Sequence, residues 1–212
     1  MNLKTFPSIK KLLIASHNQG KIREFKSLLA DLRVQVLGIE DLSQDLQLGL
    51  VEPEEPHDQY ELNAEEKARL IAQHTNIMTV ADDSGLEVDA LAGELGVYSK
   101  RFFEGTDLDR NIELLRRMQG LEGEARKARF VSVLCLFDPM TGEARFFRGE
   151  VEGTLSTEML GEHGFGFDPL FRPDGDLRTF GQMTEEEKHA HSHRAKAALQ
   201  LRAFVLAHAR ES

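Results

Sequence analysis

Residues 11–30 constrain the fold most. The run Lys11-Leu12-Leu13-Ile14-Ala15 is apolar after its first residue and breaks at once into Ser16-His17-Asn18-Gln19-Gly20; from Lys21 onward Ile22, Phe25, Leu28 and Leu29 recur at helical spacing. A short apolar run reads as a buried strand and the 3.6-residue repeat as an amphipathic helix, so the chain opens with strand, polar turn and helix. Such a unit needs a sheet to bury its strand and a sheet face to receive its helix. The rest of the chain supplies both. Residues 33–39 read as a second strand, and residues 40–58, acidic and broken by Pro53 and Pro56, as an exposed loop. Asp58 and Glu61 pair as caps for a helix running to about His74. Residues 77–81 predict a strand ending in a turn at Asp82-Asp83-Ser84-Gly85. Residues 108–118 are amphipathic and helical, and residues 128–137 and 144–155 form a hairpin around 138–142. After a glycine-rich loop at 161–166, Thr184 and Glu187 make a capping box for a short helix, and Ser192 caps a last helix with Ala198, Leu201 and Val205 on its apolar stripe. The expected fold class is therefore α/β, a mixed sheet covered on both faces, in one domain spanning 1–212.

Charge narrows the partners. With 26 Lys and Arg against 36 Asp and Glu, the net charge of −10 disfavours a nucleic-acid groove, whose phosphate track demands a positive surface. A single triphosphate needs only a local cluster of cations and amides, with a divalent ion to screen it from acids. No apolar run approaches the roughly 18 residues of a membrane span. The lysines Lys4, Lys10 and Lys11 precede an apolar stretch of only residues 12–15, too short for a secretion signal, so a cytoplasmic location is expected. The one cysteine, Cys135, lies in an apolar strand and reads as a buried small hydrophobe.

Four clusters carry chemistry. Ser16 to Lys21 opens a helix, where free N–H groups and the helix dipole attract anions; Ser16 and Asn18 add hydrogen bonds and Lys21 a charge, although an ordinary capped turn has the same look. It is not a Walker A loop, since only Gly20 precedes Lys21 and Ile22 follows it. Asp82-Asp83 offers adjacent carboxylates that suit Mg²⁺ and an oriented water, or a solvated acidic turn. The pair Glu54 and Glu55 reads more simply as a solvated loop. In Gly164-Phe165-Gly166-Phe167-Asp168-Pro169 two aromatics sit among glycines, where exposed rings gain from a flat partner such as a purine. Lys188 with His193 and Arg194 places three donors near a helix start. His189, His191 and His193 do not suit zinc, because residues two apart on a helix face different ways.

Together, Ser16-x-Asn18-x-x-Lys21-x-x-Glu24, Asn63-Ala64, Ala81-Asp82-Asp83-Ser84-Gly85-Leu86, Gly164-Phe165-Gly166-Phe167-Asp168-Pro169 and Glu187-Lys188 followed by Ser192-His193-Arg194 resemble, in order and spacing, the inosine triphosphate pyrophosphatases. The resemblance covers residues 11–209. It implies an elongated mixed β-sheet flanked by helices, two lobes around a central substrate cleft, generally in a homodimer. It also implies Mg²⁺-dependent hydrolysis of ITP, dITP and XTP to the monophosphate and pyrophosphate; a pyrophosphatase of other base preference and a silent nucleotide sensor are the alternatives. By the same resemblance Ser16, His17, Asn18, Gln19, Gly20 and Lys21 hold the triphosphate. Asp83 is proton acceptor and Mg²⁺ ligand, Glu54 or Glu55 a second ligand, and Ser84 touches substrate. Phe165, Gly166, Phe167 and Asp168 surround base and sugar, and Lys188, His193 and Arg194 meet substrate, the last two near the 6-oxo group. The chain departs from the family pattern at His17, where a small residue is common, at Phe167, where Tyr is frequent, and at Glu55-Pro56-His57-Asp58.

Overall fold

The computed structural model describes residues 9–48, 50 and 54–208. Lys4, and Glu52 and Pro53 of the acidic loop, lie outside these. Strand β1 (Lys11–Ala15) leads into helix α1 (Gln19–Leu28), then β2 (Gln35–Gly38), α2 (Gln44–Leu48) and α3 (Tyr60–Thr75). Then follow β3 (Thr79–Val88), α4 (Asp107–Arg117), β4 (Lys127–Phe137), β5 (Ala144–Leu155), β6 (Phe171–Pro173), α5 (Glu185–His191) and α6 (His193–His208). The strands form one sheet in the order β2-β1-β3-β4-β5-β6. Pairing is parallel from β2 through β1 to β3 and antiparallel from β3 to β6. The fold is thus mixed α/β, as the opening unit and the central hairpin require.

Because side chains alternate across a strand, each strand feeds two cores. Leu12, Ile14, Val80, Leu134 and Leu136 face α1 and α6, meeting Ile22, Phe25, Leu201 and Val205. Leu13, Ala15, Ala81, Cys135 and Phe137 face α3, meeting Ala64, Ala68, Ile71 and Ala72. Cys135 is buried there, and burial pushes its thiol up to about 12, as expected of an inert packing residue. A third core joins Leu86, Val88, Phe130, Val151 and Leu155 to Phe167, Phe171 and Phe180. The long strands β3, β4 and β5 run through both ends.

Three local expectations are corrected. Asp82-Asp83-Ser84-Gly85 is no turn: it lies inside β3, held extended by an unbroken antiparallel ladder to β4 from Thr79↔Phe137 to Val88↔Ala128. Cross-strand pairing outweighs the turn preference of these residues. The exposed loop at 40–58 contains a 3-10 turn at Ile39–Asp41 and the short α2. The first residue before α3 is Gln59, with no side-chain cap; Asn63 ties the entry instead, accepting from His57 N (3.0 Å) and donating to His57 O (3.1 Å). The caps at Thr184/Glu187 and Ser192 form as expected.

Candidate active site

The site begins where one strand stops and its neighbour continues. β1 ends at Ala15, opposite Ala81 of β3, so beyond Ala81 that edge of β3 has no strand beside it. The chain turns there into α1. Asn18 caps the helix, its Oδ1 accepting from Lys21 N (3.1 Å), and Ser16 Oγ accepts from Asn18 N (3.1 Å). His17, Asn18 and Gln19 are exposed; Ser16, Gly20 and Lys21 are half-buried. A Cβ on Gly20 would come within 2.7 Å of the Phe165 ring, so this glycine lets the helix start abut the aromatic loop.

Asp82 and Asp83 point to opposite faces of the sheet, as neighbours on a strand must. They do not form one bidentate pair. Asp82 faces α1 and α6: Lys21 Nζ lies 2.7 Å from Oδ2, Ser132 Oγ donates to Oδ1 (2.6 Å) and Ser84 Oγ to Oδ2 (3.0 Å). Burial alone would raise its pKa; Lys21 and Arg194 outweigh burial and hold it well below the carboxylate range. Asp83 faces α3, where Asn63 Nδ2 donates to Oδ2 (3.1 Å) and Lys67 Nζ to Oδ1 (3.3 Å). Burial raises the Asp83 pKa and Glu55 adds to the rise, while Lys67 opposes it. Lys67 also donates to Glu55 Oε1 (2.8 Å) and to Asp82 O (2.9 Å).

A second buried network joins α1, α5, α6 and the aromatic loop. Lys188 Nζ donates to Glu24 Oε1 (2.9 Å) and Asp168 Oδ2 (2.7 Å). Arg194 pairs with Glu24, reaches Asp82 Oδ2 (3.5 Å) and donates to Ser84 Oγ (3.1 Å). Burial would raise Glu24, but Arg194 and Lys188 more than offset it and hold its pKa at about 2. Burial, then Arg194 and Lys188, push His193 well below the usual histidine value, so the imidazole is neutral at pH 7; it stacks on Phe130 with centroids 4.6 Å apart. Gly149 of β5 lets the first turn of α6 lie against that strand, since a Cβ there would sit 2.1 Å from His193 O. In the loop, Asp168 Oδ2 also accepts from Phe165 N (2.8 Å), and Lys188 and Arg194 lie over the Phe165 ring at 4.9 and 5.4 Å. The expectation of two exposed rings holds only for the half-buried Phe165. Phe167 is 5% exposed and packs into the third core, because its ring meets Phe102 edge-on rather than solvent.

Two cavities open here and share Asn18, Lys21 and Lys100. The first is lined by Phe130, Phe165, Phe167, Lys188, His193 and Arg194, with Ser84, Gly166 and Asp168. The second is lined by Ser16, His17, Glu55, Lys67 and Asp82. Gln19, Gly20, Glu54 and Asp83 line neither; Asp83 is joined to the second through Lys67, which lines it and donates to Asp83 Oδ1. Glu54 is exposed. Among the described residues no three His, Cys, Asp or Glu side chains form a metal cage. Mg²⁺ does not require one, since one or two carboxylates with substrate phosphates and waters suffice. Asp83 and Glu55, converging on one ammonium at 3.3 and 2.8 Å, are hard oxygen donors that fit it.

Lys67, Lys100, Asp107 and Arg110 escaped the sequence reading. Lys67 left a signal: it falls on the same helix face as Asn63 and Ile71, a lysine on a stripe otherwise buried.

The fold and cleft together define a mixed α/β protein whose strand ends hold an aromatic chamber beside a charged one. The chain belongs to the Ham1 family, whose profile matches residues 12–204. It is 46% identical over 203 residues to a dITP/XTP pyrophosphatase of Brucella melitensis, covering 88% of this chain and 89% of the relative. It is 45% identical over 199 residues to a dITP/XTP pyrophosphatase of Thermus thermophilus, covering 93% and 91%. A HAM1 protein from Coxiella burnetii superposes with a TM-score of 0.81 at 30% identity, covering 94% of this chain and 100% of that one. The Staphylococcus aureus Ham1 protein gives 0.79 at 36%, covering 93% and 99%.

Proposed function

We propose that this chain is a dITP/XTP pyrophosphatase, hydrolysing dITP, ITP and XTP to the monophosphate and pyrophosphate and so clearing them from the nucleotide pool. The observation that carries the reading is the pair of cavities meeting at Asn18, Lys21 and Lys100. One has the rings and donors a purine needs and the other the cations and acids a triphosphate needs. The names of the relatives support it.

In this reading the cleft divides the molecule into two lobes of an elongated sheet, with residues 16–21 taking the triphosphate. Asp83 and Glu55 hold Mg²⁺, which when bound would neutralise phosphate charge and acidify a water. Asp83 accepts the proton of the water that attacks the α-phosphorus, and its raised pKa suits a base. The α–β anhydride bond breaks and pyrophosphate leaves. Ser84 contacts substrate beside the sugar. Phe165, Gly166, Phe167 and Asp168 enclose base and sugar, Lys188 fixing that loop through Asp168. His193 and Arg194 face the 6-oxo edge. Guanidinium only donates, so adenine's 6-amino group would leave buried donors unpaired, at about 1–3 kcal/mol each. Like the family it resembles, the enzyme acts in the cytoplasm as a homodimer; among the described residues no helix is long and apolar enough to cross a membrane.

The test is pyrophosphate release from dITP, ITP, XTP, dATP and dTTP by wild type and Asp83→Asn. Wild type should favour the first three with Mg²⁺ present, and Asp83→Asn should lose roughly 10²–10⁴-fold in kcat. Orthophosphate as first product, or equal rates on all five, would overturn the proposal.

A further inference from the structure

Helix α4 lies outside every motif of the sequence reading, yet it grips the aromatic loop. Asp107 Oδ2 accepts from Gly166 N (2.7 Å), and Asn111 Nδ2 donates to Gly166 O (2.7 Å). One glycine, 55 and 59 residues distant in sequence, is thus held at both its N–H and its C=O. Gly166 has φ +61, a left-handed backbone open to glycine without steric cost, so the loop turns here and the two hydrogen bonds fix where it turns. Both neighbours of Gly166, Phe165 and Phe167, line the first cavity, as do Asp107 and Arg110.

The clamp is itself anchored. Arg110 donates to Asp107 Oδ1 (2.6 Å) and to Gly105 O (2.8 Å), and Thr106 and Asp109 close a capping box that fixes where α4 begins. Asn111 is 2% exposed, and its Nδ2 also donates to Asp107 O (2.8 Å). Its Oδ1 is buried without a partner. A buried amide oxygen left unpaired is costly and rare in native proteins.

We propose that Asp107 and Asn111 are positioning residues for the base: by clamping Gly166 they fix the aromatic wall of the first cavity and set nucleotide affinity, without acting on the phosphates. The proposal rests on the nucleotide reading above.

The experiment compares wild type, Asn111→Ala, Asp107→Ala and Asp107→Asn in steady-state hydrolysis of dITP, in competitive inhibition by inorganic tripolyphosphate, which has no base, and in thermal melting. Loss of one or two hydrogen bonds to the wall should raise KM for dITP roughly tenfold in both alanine variants, with kcat changed by less than about threefold. Inhibition by tripolyphosphate should not change. Asp107→Asn keeps one acceptor for Gly166 N–H but turns its amide donor toward Arg110, so its KM should rise clearly less than that of Asp107→Ala; the Asp107 side chain is 47% exposed, and melting checks that each variant is folded. An unchanged dITP KM in folded alanine variants, tripolyphosphate inhibition weakened in parallel, or Asp107→Asn as damaging as Asp107→Ala would each overturn the clamp. Wild type that binds tripolyphosphate but hydrolyses no dITP would overturn the nucleotide reading instead.

Discussion

Arg194→Ala should destabilise the protein before it alters base choice. Arg194 is 2% exposed and donates to Glu24, Asp82 and Ser84, so its loss strips one partner from two buried carboxylates. Breaking a buried ion pair by removing one side costs about 3–5 kcal/mol. Here each carboxylate keeps a second cation, Lys188 on Glu24 at 2.9 Å and Lys21 on Asp82 at 2.7 Å, which puts the expected loss near the low end, about 3 kcal/mol. For a chain of this size each kcal/mol lowers Tm by roughly 2–4 °C, so the melt should fall by roughly 6–12 °C. The effect has a pH signature. Glu24 sits at about 2 when folded, below the ordinary 4.5, so its pairing stabilises fully above that ordinary value and fades as pH falls toward 2. Arg194→Ala should therefore cost most at neutral pH and progressively less in acid. Calorimetry of both proteins between about pH 3 and 7 reads this directly, and dITP and dATP hydrolysis well below both melting temperatures separates stability from recognition. A melt lowered by less than about 2 °C at pH 7 would refute the reasoning.

Two further outcomes follow from the α3 face. Lys67 opposes the raised pKa of Asp83, so Lys67→Met should lift it further; a base must be deprotonated to act, and the acid limb of kcat/KM against pH should move to higher pH. An unmoved limb would remove Asp83 as the titrating group. Glu55→Gln should raise the Mg²⁺ concentration needed for half-maximal activity at least about tenfold while Glu54→Gln should not, since only Glu55 meets Lys67 beside Asp83; equal effects in a Mg²⁺ titration would contradict this.

Much of the site was legible because its chemistry is local in sequence. Ser16, Asn18 and Lys21 sit within one turn of a helix start, and the 161–168 loop carries its glycines and rings together. What escaped depends on register and on distant chain. Nothing local says that Asp82-Asp83-Ser84-Gly85 stays extended, because the reason is β4, some fifty residues on. With that register the two carboxylates diverge by the strand's own alternation, and a supposed pair becomes two separate groups. Phe165 and Phe167 look alike in sequence, but Phe102 and the third core bury only the latter. Asp107 and Asn111 gave no signal, since a capped amphipathic helix accounts for both until Gly166 arrives beside them.

The buried charge network ties the two ends of the chain in a way that bears on folding kinetics. Glu24 meets Lys188 across 164 residues and Arg194 across 170. Contacts of such separation carry the largest loop-closure entropy and form late unless much else is already in place. Until α5 and α6 dock, Glu24 lacks both its cations and Asp82 one of its two. The charges that shape the cleft therefore pair fully only when the C-terminal helices arrive, and α6 brings with them the side chains that close one face of the sheet.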